Sequence, residues 1–342
     1  MDPKAIANEP VQARQRLPEP PEDLRALYRS MVRLRTYDDR SVVYHRQGRI
    51  GTYAIFWGHE ALQAGAVHAL EPGDWIFPSY RESAIGLIRE MPAATVFAWW
   101  RGHPEGWWDP REWRIASIAV PVGSHVPHAA GMAWGLKLRD EPSCVLAFFG
   151  DGATSTGAFH EGMTFAAAKR VPAVFLCNNN SWAISTPTSA QSGTERLVDK
   201  AVGYGMEGVR IDGADALVVR DAVRDATARA RAGEGPQFIE AVTYRAAPHA
   251  TADDPSRYMD PAQLRAARER ECLGRFESRL RQLDVLSDEG IGHVRDDALV
   301  EMEAGIAAAE SLPEPDPRQI FDTTYSLPPR ALRRDRDSTL EP

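Results

Sequence analysis

Phe148-Phe149-Gly150-Asp151-Gly152-Ala153-Thr154-Ser155-Thr156-Gly157 is the stretch on which the fold turns. Residues 144–149, which lead into it, form a short and wholly apolar run, and residues 156–169, which follow, carry helical spacing. A buried strand therefore hands over to a helix near Gly150. In open α/β sheets, ligands bind at such a handover, outside the carboxyl end of the strand. Gly150 and Gly152 permit a tight turn and a close approach of backbone to ligand. The start of the next helix offers free N–H groups to phosphate oxygens. Asp151 is then an acid beside an anion site, which makes sense with a cation between the two.

The next apolar run, residues 171–177, ends in Cys177-Asn178-Asn179-Asn180-Ser181-Trp182. Between Gly152 and Asn179 lie 26 residues, room for one helix and one strand. Asp151 and Asn180 are thus expected at neighbouring strand ends. Mg²⁺ takes six oxygens, usually a few from protein and the rest from phosphate and water. The Asp151 carboxylate, the Asn180 side-chain oxygen and a carbonyl near Trp182 would leave places for two diphosphate oxygens and a water. Competing phosphate motifs fail here. A Walker loop needs Lys-Ser/Thr after its last glycine, but Gly157 is followed by Ala158-Phe159, and the dinucleotide fingerprint needs its third glycine two residues earlier. A plain strand–turn–helix with Asp as a cap leaves Asn179-Asn180 at this spacing unexplained.

Outward from this unit, a helical pattern opens at Pro21-Glu22-Asp23 and runs to about residue 47, with Leu24, Leu27, Tyr28, Met31 and Leu34 on one face. Helices are expected over 58–70, 82–90, 93–101, 124–138 and 216–232, and extended segments over 75–80, 208–211 and 238–243. Short apolar strands alternating with helices predict an α/β fold, a parallel sheet with helices on both faces. Residues 245–260 read as a polar loop and 261–310 as mostly helix. The expected organisation is a flexible arm over 1–21, one α/β domain over 22–310, and an extension over 311–342 that wraps a surface or frays.

Composition narrows the function classes. Of the 342 residues, 43% are hydrophobic and 26% charged, which excludes a disordered or fibrous chain. A net charge of −8 argues against a nucleic-acid partner. No apolar run reaches membrane-span length, and the polar, proline-rich start lacks a signal core, so no membrane partner and a cytoplasmic location are expected. Cys144, Cys177 and Cys272 lie far apart without a Cys-x-x-Cys, which fits a reducing compartment. Cys177 has no evident base to activate it and reads as a strand residue. His125 and His128 lack a third ligand for a transition metal. Six of nine tryptophans fall between Trp99 and Trp134, and a contact with another subunit is the favoured reading of that cluster.

The Gly-Asp-Gly to Asn-Asn unit resembles the thiamine diphosphate motif. The chain as a whole resembles the alpha subunit of the decarboxylating first component of 2-oxoacid dehydrogenase complexes. Arg46-Gln47-Gly48-Arg49-Ile50-Gly51-Thr52-Tyr53, Gly58-His59-Glu60-Ala61 and Phe77-Pro78-Ser79-Tyr80-Arg81-Glu82 match family segments in the family order. So do residues 150–161, 179–187 and 244–258.

The resemblance implies a thiamine-diphosphate-binding fold with helical additions at both ends. It implies thiamine diphosphate and Mg²⁺ as cofactors, with Asp151, Asn180 and the Trp182 carbonyl on the metal. Tyr80, Arg81 and the backbone of Gly150, Gly152 and Ala153 would face the diphosphate, and Val122 would prop the cofactor in its bent shape. His249 would face the cofactor as a proton donor that assists acyl transfer, with Arg245 ordering its loop through Asp253 or Asp254. Asn178 stands where some relatives carry a second diphosphate-binding arginine. Ala250 replaces the kinase-target serine of mitochondrial relatives. The implied partners are a beta subunit in an alpha2beta2 heterotetramer, a lipoyl acyltransferase component and a small 2-oxoacid, branched-chain or pyruvate. A thiamine-dependent enzyme without a lipoyl partner, of the acyloin type, and a non-catalytic paralogue are the alternatives.

Overall fold

The computed structural model describes residues 19–340. Its strands are β1 (Trp75–Phe77), β2 (Val145–Gly150), β3 (Ala173–Asn179), β4 (Trp182–Ala183), β5 (Thr186–Pro187), β6 (Glu207–Asp212) and β7 (Gln237–Val242). Five of them form a parallel sheet in the order β1-β2-β3-β7-β6, while β4 and β5 pair as an antiparallel hairpin. The two central apolar runs are buried on both faces, as a parallel sheet requires. Val145, Ala147 and Phe149 of β2 enter one core, and Leu146 and Phe148 enter the other.

The helices are α1 (Pro21–Arg46), α2 (Glu60–Val67), α3 (Ala93–Trp100), α4 (Pro110–Trp113), α5 (His125–Leu138), α6 (Gly157–Lys169) and α7 (Thr188–Gln191). They continue with α8 (Lys200–Tyr204), α9 (Ala216–Arg229), α10 (Pro261–Glu269), α11 (Cys272–Gln282), α12 (Asp288–Glu310), α13 (Gln319–Asp322) and α14 (Arg330–Leu340). On the Leu146 face lie α1, α2, α3, α9, α11 and α12; on the Val145 face lie α5, α6 and α8. Helix α1 starts at Pro21, has Glu22 and Asp23 in its first turn, and ends on His45 and Arg46, the charge order its dipole favours. Gly65 lets α2 press against α9, for a Cβ there would lie 2.4 Å from the Ala216 carbonyl oxygen.

Several expected boundaries move. The second helix begins at Glu60, not residue 58, because Gly58 takes a left-handed φ of +88° and donates its N–H to the Glu60 carboxylate. The expected helix over 82–90 is two 3-10 turns, Tyr80–Glu82 and Ile85–Arg89. Ser83, Ala84, Ile85 and Leu87 are all buried, so this segment is enclosed on several sides where an amphipathic α-helix would bury one. Strand β3 starts two residues late and runs on through Asn178 and Asn179, which pair with Ala241 and Val242 of β7. The helix over 216–232 stops at Arg229 and passes into a π turn that breaks at Gly233, φ +83°.

The extension over 311–342 contains α13 and α14, and α14 buries none of its residues. Residues 1–18 of the expected arm lie outside the described residues. The tryptophan cluster packs largely within its own chain. Trp100, Trp108 and Trp113 lean on the core, Trp100 donates to Ser83 Oγ at 3.2 Å, and Trp108 donates to the Ile115 carbonyl at 2.8 Å. Trp107 and Trp134 are the exposed members.

Candidate active site

The sheet register brings the two halves of the motif together. Gly150, the last residue of β2, pairs with Asn178 of β3, so Asp151 and Asn180 leave neighbouring strand ends. Asp151 is buried at the start of a 3-10 turn, Asp151–Ser155, which precedes α6. Thr188 Oγ1 and Gln191 Nε2, both on α7, donate to its Oδ2 at 3.0 and 2.7 Å. Its Oδ1 is buried and meets no partner among the described residues. Burial holds the Asp151 carboxyl above the ordinary carboxylate range, against the hydrogen bonds from Thr188 and Gln191. A cation at Oδ1 would remove that penalty.

The rest of the donor set suits a hard ion. Asn180 Oδ1 accepts from the Trp182 N–H at 3.1 Å, and the Trp182 carbonyl accepts from Arg245 Nη1 at 3.2 Å. Each of these oxygens keeps a second lone pair. Among the described residues no group of three or more His, Cys, Asp or Glu could hold a metal ion. One carboxylate plus neutral oxygens is the donor set Mg²⁺ uses when phosphates complete its shell. His125 Nε2 lies 2.6 Å from the Phe148 carbonyl oxygen, and no third His, Cys, Asp or Glu joins His125 and His128 among the described residues.

Gly152 and Ala153 occupy the first turn after β2, where helical N–H groups lack intrahelical acceptors. A Cβ on Gly152 would meet Ala183 of the hairpin at 2.8 Å, so glycine is required there. Val122 is half-exposed rather than a core valine. Its neighbour Gly123 has φ +78° and sits against Thr156, which follows the Asp151 turn.

Tyr80, Arg81 and His249 form a second cluster. Ser79 caps the turn that carries the first two. Arg81 is buried; its Nη1 donates to the Ile55 carbonyl, and its Nη2 donates to His249 Nδ1 at 3.1 Å. The Tyr80 and His249 rings meet edge to face at 5.9 Å. An imidazole that accepts at Nδ1 carries its hydrogen at Nε2. Burial, then the charges of Arg81 and Arg245, lower the His249 pKa to about 4. His249 is therefore neutral near pH 7, with its hydrogen at Nε2.

The His249 loop is tied down at both ends. The His249 N–H donates to Asp253 Oδ2 at 2.7 Å. Arg245 reaches Asp253 through Tyr258, not directly: Arg245 Nη2 donates to Tyr258 Oη at 2.9 Å, and that hydroxyl donates to Asp253. Sequence reasoning assigned no role to Tyr258, which lies in the family-like segment 244–258, and missed Thr188 and Gln191, which lie outside the matched segments. Cys177 is buried in β3 with its thiol pushed well up by burial, and has no nucleophilic character.

A family model for the dehydrogenase E1 component matches residues 28–318. The chain belongs to that family. The E1 family contains relatives that this chain matches along most of its length. It is 40% identical over 324 residues to a 3-methyl-2-oxobutanoate dehydrogenase subunit alpha of Mycobacterium tuberculosis, covering 93% of this chain and 87% of the relative. It is 36% identical over 312 residues to a pyruvate dehydrogenase E1 component subunit alpha of Staphylococcus aureus, covering 91% and 84%. The α/β architecture with a five-stranded parallel sheet agrees with the fold that the resemblance implies. No described helix is long and apolar enough to cross a membrane.

Proposed function

We propose that this chain is the alpha subunit of a 2-oxoacid dehydrogenase that acts on a branched-chain 2-oxoacid or pyruvate. It binds thiamine diphosphate and Mg²⁺, pairs with a beta subunit in an alpha2beta2 heterotetramer, and serves a lipoyl acyltransferase component. The observation that carries this reading is Asp151: a buried carboxylate with one oxygen held by α7 and the other unpaired, at adjoining strand ends. The relatives named above support the substrate class. Residues 22–310 form the cofactor-binding domain in this reading.

When bound, thiamine diphosphate supplies the electron sink that lets carbon dioxide leave a 2-oxoacid. The chain's own residues bind and orient. Asp151, Asn180 and the Trp182 carbonyl hold Mg²⁺. Arg81 keeps its bond to His249 Nδ1 and would offer the remaining N–H groups of its planar fork to diphosphate oxygens. Tyr80 and the Gly150–Ala153 backbone line the same diphosphate. Val122 supports the cofactor from the half-exposed rim. His249 donates its Nε2–H toward the reacting centre and assists acyl transfer.

The test uses the enzyme assembled with its beta chain. Asp151→Ala should weaken Mg²⁺-dependent thiamine diphosphate binding roughly a hundredfold or more by calorimetry. Unchanged affinity would sink the metal assignment. Robust product formation from 2-oxoacids without any lipoyl acceptor would move the reading to an acyloin-type enzyme.

A further inference from the structure

His59 precedes helix α2, and its imidazole is wholly buried. Asn178, the register partner of Gly150 at the end of β3, brings its amide against that ring. Thr243 Oγ1 donates to Asn178 Oδ1 at 2.6 Å, which turns the amide nitrogen toward His59. Asn178 Nδ2 then donates to His59 Nδ1 at 3.1 Å. A ring that accepts at Nδ1 carries its hydrogen at Nε2. Burial keeps the ring neutral, and the nearby charges of Arg81 and Arg245 act the same way.

The relay of hydroxyl, amide and imidazole thus ends in a single N–H, at Nε2. That N–H is buried and meets no acceptor among the described residues. Native folds keep few such donors, and each calls for an explanation. Asp151 Oδ1, Trp182 Nε1, Tyr244 Oη and Arg245 Nε, on residues at or just beyond the same strand ends, are unpaired in the same way. They include one acidic oxygen for a cation and several N–H and O–H donors for an anion.

We infer that His59 donates its Nε2–H to a diphosphate oxygen of the cofactor bound at these strand ends, while Asn178 and Thr243 hold the ring in the donating tautomer. The inference rests on the thiamine diphosphate reading above. It gives Asn178, which brings no charge to the site, the task of orienting a neutral donor. The competing explanation is a buried water between His59 Nε2 and Gln63 Oε1, which is also unpaired and lies one turn along α2.

The assembled enzyme distinguishes the two. His59→Leu should weaken binding of thiamine diphosphate, and of inorganic pyrophosphate, about ten- to a hundredfold by calorimetry. His59→Gln, which keeps an N–H donor, should recover most of that loss for both ligands. A crystal structure of the loaded enzyme should place Nε2 about 3 Å from a diphosphate oxygen. Wild-type affinity in a folded His59→Leu enzyme would overturn the inference, and so would a water as the only Nε2 partner in the loaded structure. If the wild-type enzyme binds no thiamine diphosphate at all, the cofactor reading falls and this inference with it.

Discussion

His249 shows how an environment sets the state of one side chain. Its loop position is plain from the sequence, but its protonation is not, because Arg81 lies 168 residues away along the chain and donates directly to Nδ1. Imidazole ¹⁵N spectra should show His249 neutral down to about pH 4, with the hydrogen at Nε2. Arg81→Leu should move that midpoint up toward the ordinary histidine value. A wild-type midpoint near 6.5 would refute the assignment. The folded pKa lies below the unfolded one, so between about pH 4 and 6.5 the unfolded chain binds more protons. The His249 contribution to stability therefore rises with pH across that window and is lost as pH falls. Asp151 and Asn180, by contrast, are legible in sequence, since a fixed helix–strand spacing carries them to adjoining strand ends. The support of Asp151 is not, for Thr188 and Gln191 reach it from α7, 37 and 40 residues along the chain.

At the scale of elements, α1 governs the cluster that holds Arg81 and His249. Asp38, buried in α1, accepts from Tyr53 Oη at 2.7 Å and from the Phe56 N–H at 3.0 Å. The segment so held presents the Ile55 carbonyl to Arg81, and Tyr53 exchanges two hydrogen bonds with Thr251, beside His249. Burial, reinforced by Glu60 and Asp39, pushes the Asp38 carboxyl up to about 7 against those hydrogen bonds. Between about pH 4 and 7 the folded state binds the extra proton, so this group's contribution to stability falls as pH rises. Asp38→Asn should remove that part of the slope in urea unfolding across the window; an unchanged slope would show that Asp38 titrates normally. The sequence predicts α1 closely because its caps and apolar face are local. It misses the 3-10 turns near Arg81 because enclosure on several sides, not periodicity, shapes that segment.

At the scale of the whole molecule, Val120, Val122 and Ile184 expose apolar side chains, the last of them in the hairpin turn that follows Trp182. Exposed apolar surface of this kind is what a second subunit covers. The isolated chain should therefore show little 2-oxoacid decarboxylation, with turnover returning on addition of its beta chain. Full turnover by the isolated chain would refute the shared site. The sequence by itself determined the parallel sheet and the placing of Asp151 and Asn180 at neighbouring strand ends, which rest on local periodicity and on spacing along the chain, and the family, which rests on the resemblance of several segments in the family order. Only the tertiary structure decided the state of His249, the tautomer of His59, the support of Asp151 and the inward packing of most of the tryptophan cluster. Each of those depends on burial and on partners distant in sequence, which set pKa, hydrogen-bond direction and exposure only once the chain has folded.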